Sequence, residues 1–388
     1  MLKGKLKKLS DTAGFKTFVS IALSVAFGLL VGFIILLIAN PRNAFSAFLG
    51  ILAGSFGEPK SPWLGFGDLL YYATPILFTG LSVGFAYKTG LFNIGASGQF
   101  MVAQFASIAV ALYGRGLGFM HWPLALLAGI AAGALWGFFP GLLKALFNVN
   151  EVITSIMLNY IGMYLTNMLI KNSKVLYNPA RVETHFLPRS AFNPKLGLHY
   201  IFPGSRIDIG IIIAIVTAIV IYIILNKTVF GYELKAVGYN RHASRYAGIN
   251  EKKSIILSMT IAGGLAGLGG ALKILSPGVH YLGHTIKPID VIAVEGFNGI
   301  PVALLGILHP IGIIFSALFI TYIQRGGFFT QAKAMIEIID IIVALIIYFS
   351  AFAFLFKMIL SKIRKKKEQE DINDKPPLQP NVNNRGEV

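Results

Sequence analysis

The run Lys88-Thr89-Gly90-Leu91-Phe92-Asn93-Ile94-Gly95-Ala96-Ser97-Gly98-Gln99-Phe100-Met101 places glycines and side-chain amides where an apolar segment begins. Each glycine costs about 1 kcal/mol against alanine inside a helix, so Gly90, Gly95 and Gly98 add nothing to local helix stability. Asn93 and Gln99 carry donors and acceptors that hydrocarbon leaves unpaired. Such a stretch persists in a membrane only where it packs against protein or borders a wet path. The expectation is a membrane protein built to let something polar through.

Composition agrees. The chain has 388 residues, 55% hydrophobic and only 13% charged, against about 25% charged in soluble domains. Apolar runs of roughly 20 residues, enough for a hydrocarbon layer of about 30 Å, recur from end to end. The expected fold class is all-α and polytopic. About ten transmembrane helices are expected, near residues 18–39, 68–87, 91–113, 122–147, 152–170, 208–226, 254–275, 288–307, 310–325 and 336–358. The segment Ala44 to Phe56 is too short to span and reads as interfacial or re-entrant. A basic N-terminus (1–17) precedes this transmembrane domain (18–360), and a polar, Pro-rich tail (361–388) expected to be disordered follows it.

The net charge of +17 gathers at Lys3 to Lys8, between Lys227 and Lys253, and from Lys362 to Lys367. Those are places expected of cytoplasmic flanks meeting anionic headgroups, so nucleic acid is not an expected partner. An even span count puts both termini and the 227–253 loop inside. The 171–206 loop then lies outside although it carries Lys171, Lys174, Arg181, Arg189, Lys195 and Arg206. The absence of cysteine excludes disulfides and thiolate metal sites. The first apolar run, Phe18 to Ala39, is too long for a cleavable signal and ends in Asn40-Pro41.

Gly129, Gly133, Gly137 and Gly141 follow one another at intervals of four, which lays a smooth groove along one helix face. Gly80/Gly84 and Gly263/Gly267 repeat the device, and all are read as packing. A weak echo links Gly90-Leu91-Phe92-Asn93-Ile94-Gly95 to Gly296-Phe297-Asn298-Gly299-Ile300, on helices expected to run in opposite directions. Interrupted helices in inverted repeats frame the path of many transporters, and chance explains five residues equally well.

The loop Gly231 to Asn250 is the second informative element. Asn240 is suited to cap a short helix, and Gly248 to end it in a left-handed conformation. Between them Arg241 and Arg245 stand one turn apart, with the small Ala243, Ser244 and Ala247 on other faces. The result is a compact basic plug for a soluble partner, or a solvated loop. A mere connector could be much shorter, which favours docking.

Three separated motifs give the chain a likeness. Gly90-Leu91-Phe92-Asn93-Ile94-Gly95 with Gly98-Gln99, then Ala236-Val237-Gly238-Tyr239-Asn240 with Ala247-Gly248-Ile249, then Val302-Ala303-Leu304-Leu305-Gly306 before Pro310 stand in order over about residues 65–325. The chain thereby resembles the ABC-importer permeases of branched-chain amino acids, simple sugars and nucleosides, with a type II-like permease fold. Asn150-Glu151-Val152-Ile153 leading to Met157-Leu158-Asn159-Tyr160 is most similar to the nucleoside branch. Ser97 stands where many relatives carry an acidic residue, and Ser244 where they often have alanine.

The resemblance implies a bacterial plasma-membrane permease subunit, most of all for nucleosides, with simple sugars or branched-chain amino acids as alternatives. It implies three partners: an ABC ATPase subunit, a second homologous permease and a substrate-binding lipoprotein. It also implies that Asn240, Arg241, His242, Ala243, Arg245, Ala247 and Gly248 belong to the coupling helix seated on the ATPase. This chain carries no G-x-x-x-x-G-K-[ST] motif, so ATP and magnesium are expected on that partner and no cofactor here. A secondary transporter driven by an ion gradient is the runner-up.

Gly95-Ala96-Ser97-Gly98 also fits the motif of intramembrane serine proteases, but such a nucleophile needs a base within reach. Every histidine here falls in a loop or at a span end. Among acidic residues, Glu295 and Asn298 share a helix face in the eighth span. Glu337 and Asp340 share one in the tenth, with Lys333 placed to pair Glu337. An unpaired charge at the bilayer centre costs about 2.5–3.5 kcal/mol, so Glu295 lines the path or pairs with another helix. Asn93, Gln99, Asn159, Glu295 and Asn298 are the candidate substrate-path residues.

Overall fold

In hydrocarbon every backbone group must be satisfied inside its own segment, and this chain meets that demand with helices. The computed structural model describes residues 13–58, 60–281, 283–331 and 335–350. Its helices of six residues or more are α1 (Ala13–Ala39), α2 (Ala44–Ala53), α3 (Pro62–Tyr87), α4 (Ala96–Tyr113), α5 (His121–Phe147), α6 (Glu151–Lys171) and α7 (Gly210–Lys227). There follow α8 (Val229–Tyr239), α9 (Arg241–Tyr246), α10 (Glu251–Ile274), α11 (Val294–Leu305), α12 (Pro310–Phe329) and α13 (Ile336–Ser350). A two-residue antiparallel pairing, Tyr177–Asn178 (β1) with Glu183–Thr184 (β2), lies in the loop between α6 and α7.

Among the described residues, eight helical segments are long and apolar enough to cross a membrane. One of the ten expected spans comes out differently, and another is described only in part. Residues 288–293 are not helical, and only the 12 residues of α11 are, about 18 Å of helix. Pro288 has no N–H to give a helix, and Asp290 is held by the Asn167 side-chain amide at 2.9 Å. The tenth expected span begins as α13, and its remainder lies outside the described residues, as do Lys333, the first basic residues and the tail. The Ala44 to Phe56 segment forms α2 and a short 3-10 turn (Gly54–Gly57). Tyr322 Oη on α12 donates to the carbonyls of Leu52 and Ala53 at 2.8 and 2.9 Å.

The described residues divide into two units. In the smaller, residues 13–32 with 344–350, the Phe27 and Phe349 rings meet edge to face at 4.7 Å. The larger, residues 33–343, carries every candidate site residue.

Within the larger unit, α5 and α10 form the most extensive helix pair. A Cβ added to Gly133 would lie 2.6 Å from the Gly263 carbonyl oxygen and 2.7 Å from Gly267 Cα. The two backbones are in contact at the spacing read from the sequence, and only glycine allows it. Helix α3 is buried along most of its length and packs against α10, α11 and α12. The Thr79 hydroxyl on α3 donates to the Glu295 carbonyl at 2.8 Å. That bond fixes the first turn of α11 against the middle of α3.

Candidate functional site

Two features stand at opposite ends of α10, whose 24 residues span about 36 Å. At the Glu251 end are α8 and α9. Near the Lys273 end lies a cavity of about 410 Å³, walled by α3, α10, α11, α12, the 276–293 segment and the start of α13, which adds Ile339 and Asp340.

The cavity joins aromatic surface to opposite charges. Tyr71 and Tyr72 enter from α3 and Phe328 from α12, while Lys273, Glu295, Asn298 and Gln324 supply hydrogen-bonding groups. Lys273 and Glu295 form an ion pair between the end of α10 and the start of α11. His284 reaches in from the 276–293 segment, its Nε2 2.7 Å from Tyr71 Oη and its ring stacked on the Tyr71 ring. Burial pushes the His284 pKa down to about 4, helped by the positive charges of Lys273 and Arg206. The imidazole is therefore neutral at pH 7.

Arg325, also on the cavity wall, is almost wholly buried. Its guanidinium lies 3.5 Å from Asp68 and 3.8 Å from Glu58, over the rings of Tyr72, Phe328 and Phe329. Arg206 reaches the same Asp68 carboxylate at 2.6 Å with its guanidinium and at 2.9 Å with its backbone N–H. Sequence reasoning missed this cluster. The available signal was one acidic and one basic residue near the ends of two different apolar helices, Asp68 and Arg325.

The candidate path residues fall into two groups. Glu295 and Asn298 line the cavity, and Glu295 also has a partner on another helix. Asn93, Gln99 and Asn159 are buried elsewhere and bonded to one another's segments. Asn93 and Gln99 exchange amide hydrogen bonds at 2.9 and 3.0 Å, and Asn93 also donates to Ser82 Oγ at 2.9 Å. Asn159 Nδ2 donates to the Ile94 carbonyl at 3.0 Å and Asn159 Oδ1 accepts from Gly98 N–H at 2.8 Å. The opening stretch is thus a non-helical entry, with Gly90 at φ +73°, locked among α3, α6 and α10. The start of the second echo packs just beyond the first, since any side chain on Gly296 would strike Ser97. Ser97 Oγ is buried and has no hydrogen-bond partner among the described residues.

At the other end, Asn240 caps α9: its Oδ1 accepts from Ala243 N–H at 3.0 Å, and its carbonyl accepts from the Ser244 hydroxyl at 2.8 Å. Gly248 closes the element at φ +81°. Arg241 is half-buried, whereas His242, Ala243, Arg245 and Ala247 are exposed. Tyr239, part of the second sequence motif, and Tyr246 are 93% and 94% exposed and add aromatic surface to the plug. Beneath it Val237 packs with Leu91, Ile255, Met259 and Ala262. Lys88, beside this seam, has its pKa lowered by burial and by the nearby Lys235 charge.

A family model described as the permease component of branched-chain amino acid transport systems matches residues 65–351. The chain belongs to this permease family. Membership makes it a membrane-embedded permease subunit of an ABC transporter. The guanosine ABC transporter permease protein NupP of Bacillus subtilis is 37% identical over 346 residues, 89% of this chain and 96% of that protein. The nucleoside ABC transporter permease protein NupB of Lactococcus lactis is 36% identical, covering 90% of this chain and 94% of its own length. A glucose ABC transporter permease of Haloferax volcanii is 29% identical over 85% of this chain and 87% of that protein. No solved structure gives a significant match.

Proposed function

We propose that this chain is one permease subunit of an ATP-driven nucleoside importer in a bacterial plasma membrane, with both termini cytoplasmic. The observation that carries the reading is the cavity beside Lys273, about 410 Å³ and far from α9. Its volume falls in the usual small-molecule range of about 300–1,000 Å³. Tyrosine and phenylalanine rings give a base its stacking surface, while Asn298, Gln324 and the Lys273–Glu295 pair serve its polar edges and the ribose hydroxyls.

The cavity receives substrate from a binding lipoprotein on the outer side, where the basic 171–206 loop lies. The α9 plug, Arg241 to Gly248, sits in a groove of a separate ATPase, which holds the ATP and magnesium. A second, homologous permease completes the path. Bacillus subtilis NupP and NupQ, 37% and 29% identical to this chain, carry names of guanosine permeases from one organism, which supports a heterodimer. Glu295 and Asn298 contact substrate directly. Asn93, Gln99 and Asn159 border the path only in another conformation, and here they hold the entry segment.

Uptake of labelled nucleosides, glucose and leucine by cells with and without this gene tests the reading. Nucleoside uptake is expected to fall on deletion. Loss of glucose or leucine uptake with nucleosides untouched would overturn it.

A further inference from the structure

The cavity sets a positive and a negative side chain next to each other with capacity to spare. Lys273 and Glu295 are paired, yet 30% and 27% of their side chains stay accessible, and both line the cavity. A carboxylate offers about four acceptor sites and an ammonium three donors. A mutual contact using one of each leaves donors on Lys273 and acceptors on Glu295 side by side. Tyr71, Tyr72 and Phe328 line the same space. Such a site suits a flat heterocycle held by stacking and read along one edge.

Resting on the nucleoside reading above, we infer that Lys273 and Glu295 read the Watson–Crick edge of a 6-oxopurine nucleoside, guanosine foremost. Lys273 donates to O6, and Glu295 accepts from N1–H and the 2-amino group. Guanine then makes three charge-assisted bonds, and hypoxanthine, which lacks the amino group, makes two. In the same pose adenine turns its 6-amino group toward Lys273 and the N1 lone pair toward Glu295, so both contacts become repulsive. Cytosine repeats that mismatch. Uracil keeps one donor to Glu295 but brings its second carbonyl against the carboxylate. Rejection by opposed donors and opposed acceptors is how a polar site discriminates.

The test is competition by unlabelled nucleosides against labelled guanosine in cells carrying the complete transporter, with the membrane level of this chain measured by immunoblot. Wild type is expected to rank guanosine above inosine, and both above adenosine and cytidine by about tenfold or more. Glu295→Gln is expected to collapse the guanosine-to-adenosine ratio. Equal losses for all nucleosides would mean a merely structural ion pair, and an unchanged ratio would mean no reading at all; either overturns the inference. The exchanged pair, Lys273→Glu with Glu295→Lys, keeps the ion pair but reverses the donor and acceptor. It is expected to move preference toward adenosine, and an exchanged chain that still prefers guanosine overturns the inference. Wild-type transport of all nucleosides without preference defeats the base reading alone. No nucleoside uptake by wild type defeats the proposed function itself.

Discussion

Gly238 and Gly90 meet backbone to backbone: a Cβ on Gly238 would stand 3.0 Å from the Gly90 nitrogen and would also strike the Lys88 carbonyl. Gly238 belongs to α8, which leads into the exposed plug. Gly90 opens the locked entry segment that carries Asn93. The contact therefore joins the surface proposed to meet the ATPase to the buried amide lock, and that lock adjoins Gly296, next to Glu295 in the cavity wall.

Filling this seam should uncouple the two ends. Gly238→Val is expected to leave the chain in the membrane while cutting substrate uptake at least about tenfold, because overpacking by a side chain displaces one backbone from the other. The check is uptake set against ATP hydrolysis by the assembled transporter. Hydrolysis should continue without transport.

The α5–α10 contact makes a separate stability prediction. Gly133→Leu places a branched side chain where the Gly263 carbonyl already stands, and should cost about 1–3 kcal/mol or more. Thermal unfolding of the purified chain in detergent, followed by helical circular dichroism, measures the shift. A leucine at Gly116, where an added Cβ meets nothing within 4 Å, has no such collision but keeps the strain of φ +115°, and serves as the contrast.

The charge cluster predicts an order of effects. Asp68 is 2% exposed and serves both arginines, whereas the Arg206 side chain is 34% exposed. Asp68→Ala leaves the buried Arg325 with Glu58 as its ion-pair partner among the described residues, a loss of about 3–5 kcal/mol for a broken buried pair. Arg206→Ala should cost clearly less, since Asp68 keeps Arg325. Asp68→Ala combined with Arg325→Met should recover part of the loss. Unfolding midpoints of the three variants give the comparison.

His284 makes stability pH-dependent. Its folded pKa of about 4 lies below the unfolded value near 6.5. Between those values the unfolded chain binds more protons, so stability falls as pH drops from 6.5 toward 4, by on the order of 3 kcal/mol at the acid end. His284→Gln should flatten that part of the profile. Thermal midpoints of both proteins from pH 7.5 to pH 4.5 would reveal the difference.

Much of this architecture is legible in the residues because its causes are local. Gly129 to Gly141 announce a close helix contact by spacing alone, and Asn240 and Gly248 mark the ends of α9 through capping chemistry. The amides of Asn93 and Gln99 show the boundary of what can be read. A buried amide must be satisfied, but lining a wet path and bonding a neighbouring segment produce the same local pattern. Only the tertiary placement of Ser82 and Asn159 separates them. Asp68 and Arg325 escape for a related reason, since their partnership spans 257 positions and neither lies in a motif. The 288–307 run passes as a span because hydropathy weighs composition, whereas Pro288 and the Asn167–Asp290 bond decide the backbone.

This chain is expected to move nucleosides only as part of an ATP-driven assembly. That dependence is tested most directly by labelled guanosine accumulation in proteoliposomes. The chain alone should accumulate none, and accumulation should appear when the second permease, the ATPase, the binding protein and ATP are all present. Accumulation by the chain alone, without nucleotide, would mean that no ATP-driven assembly is needed.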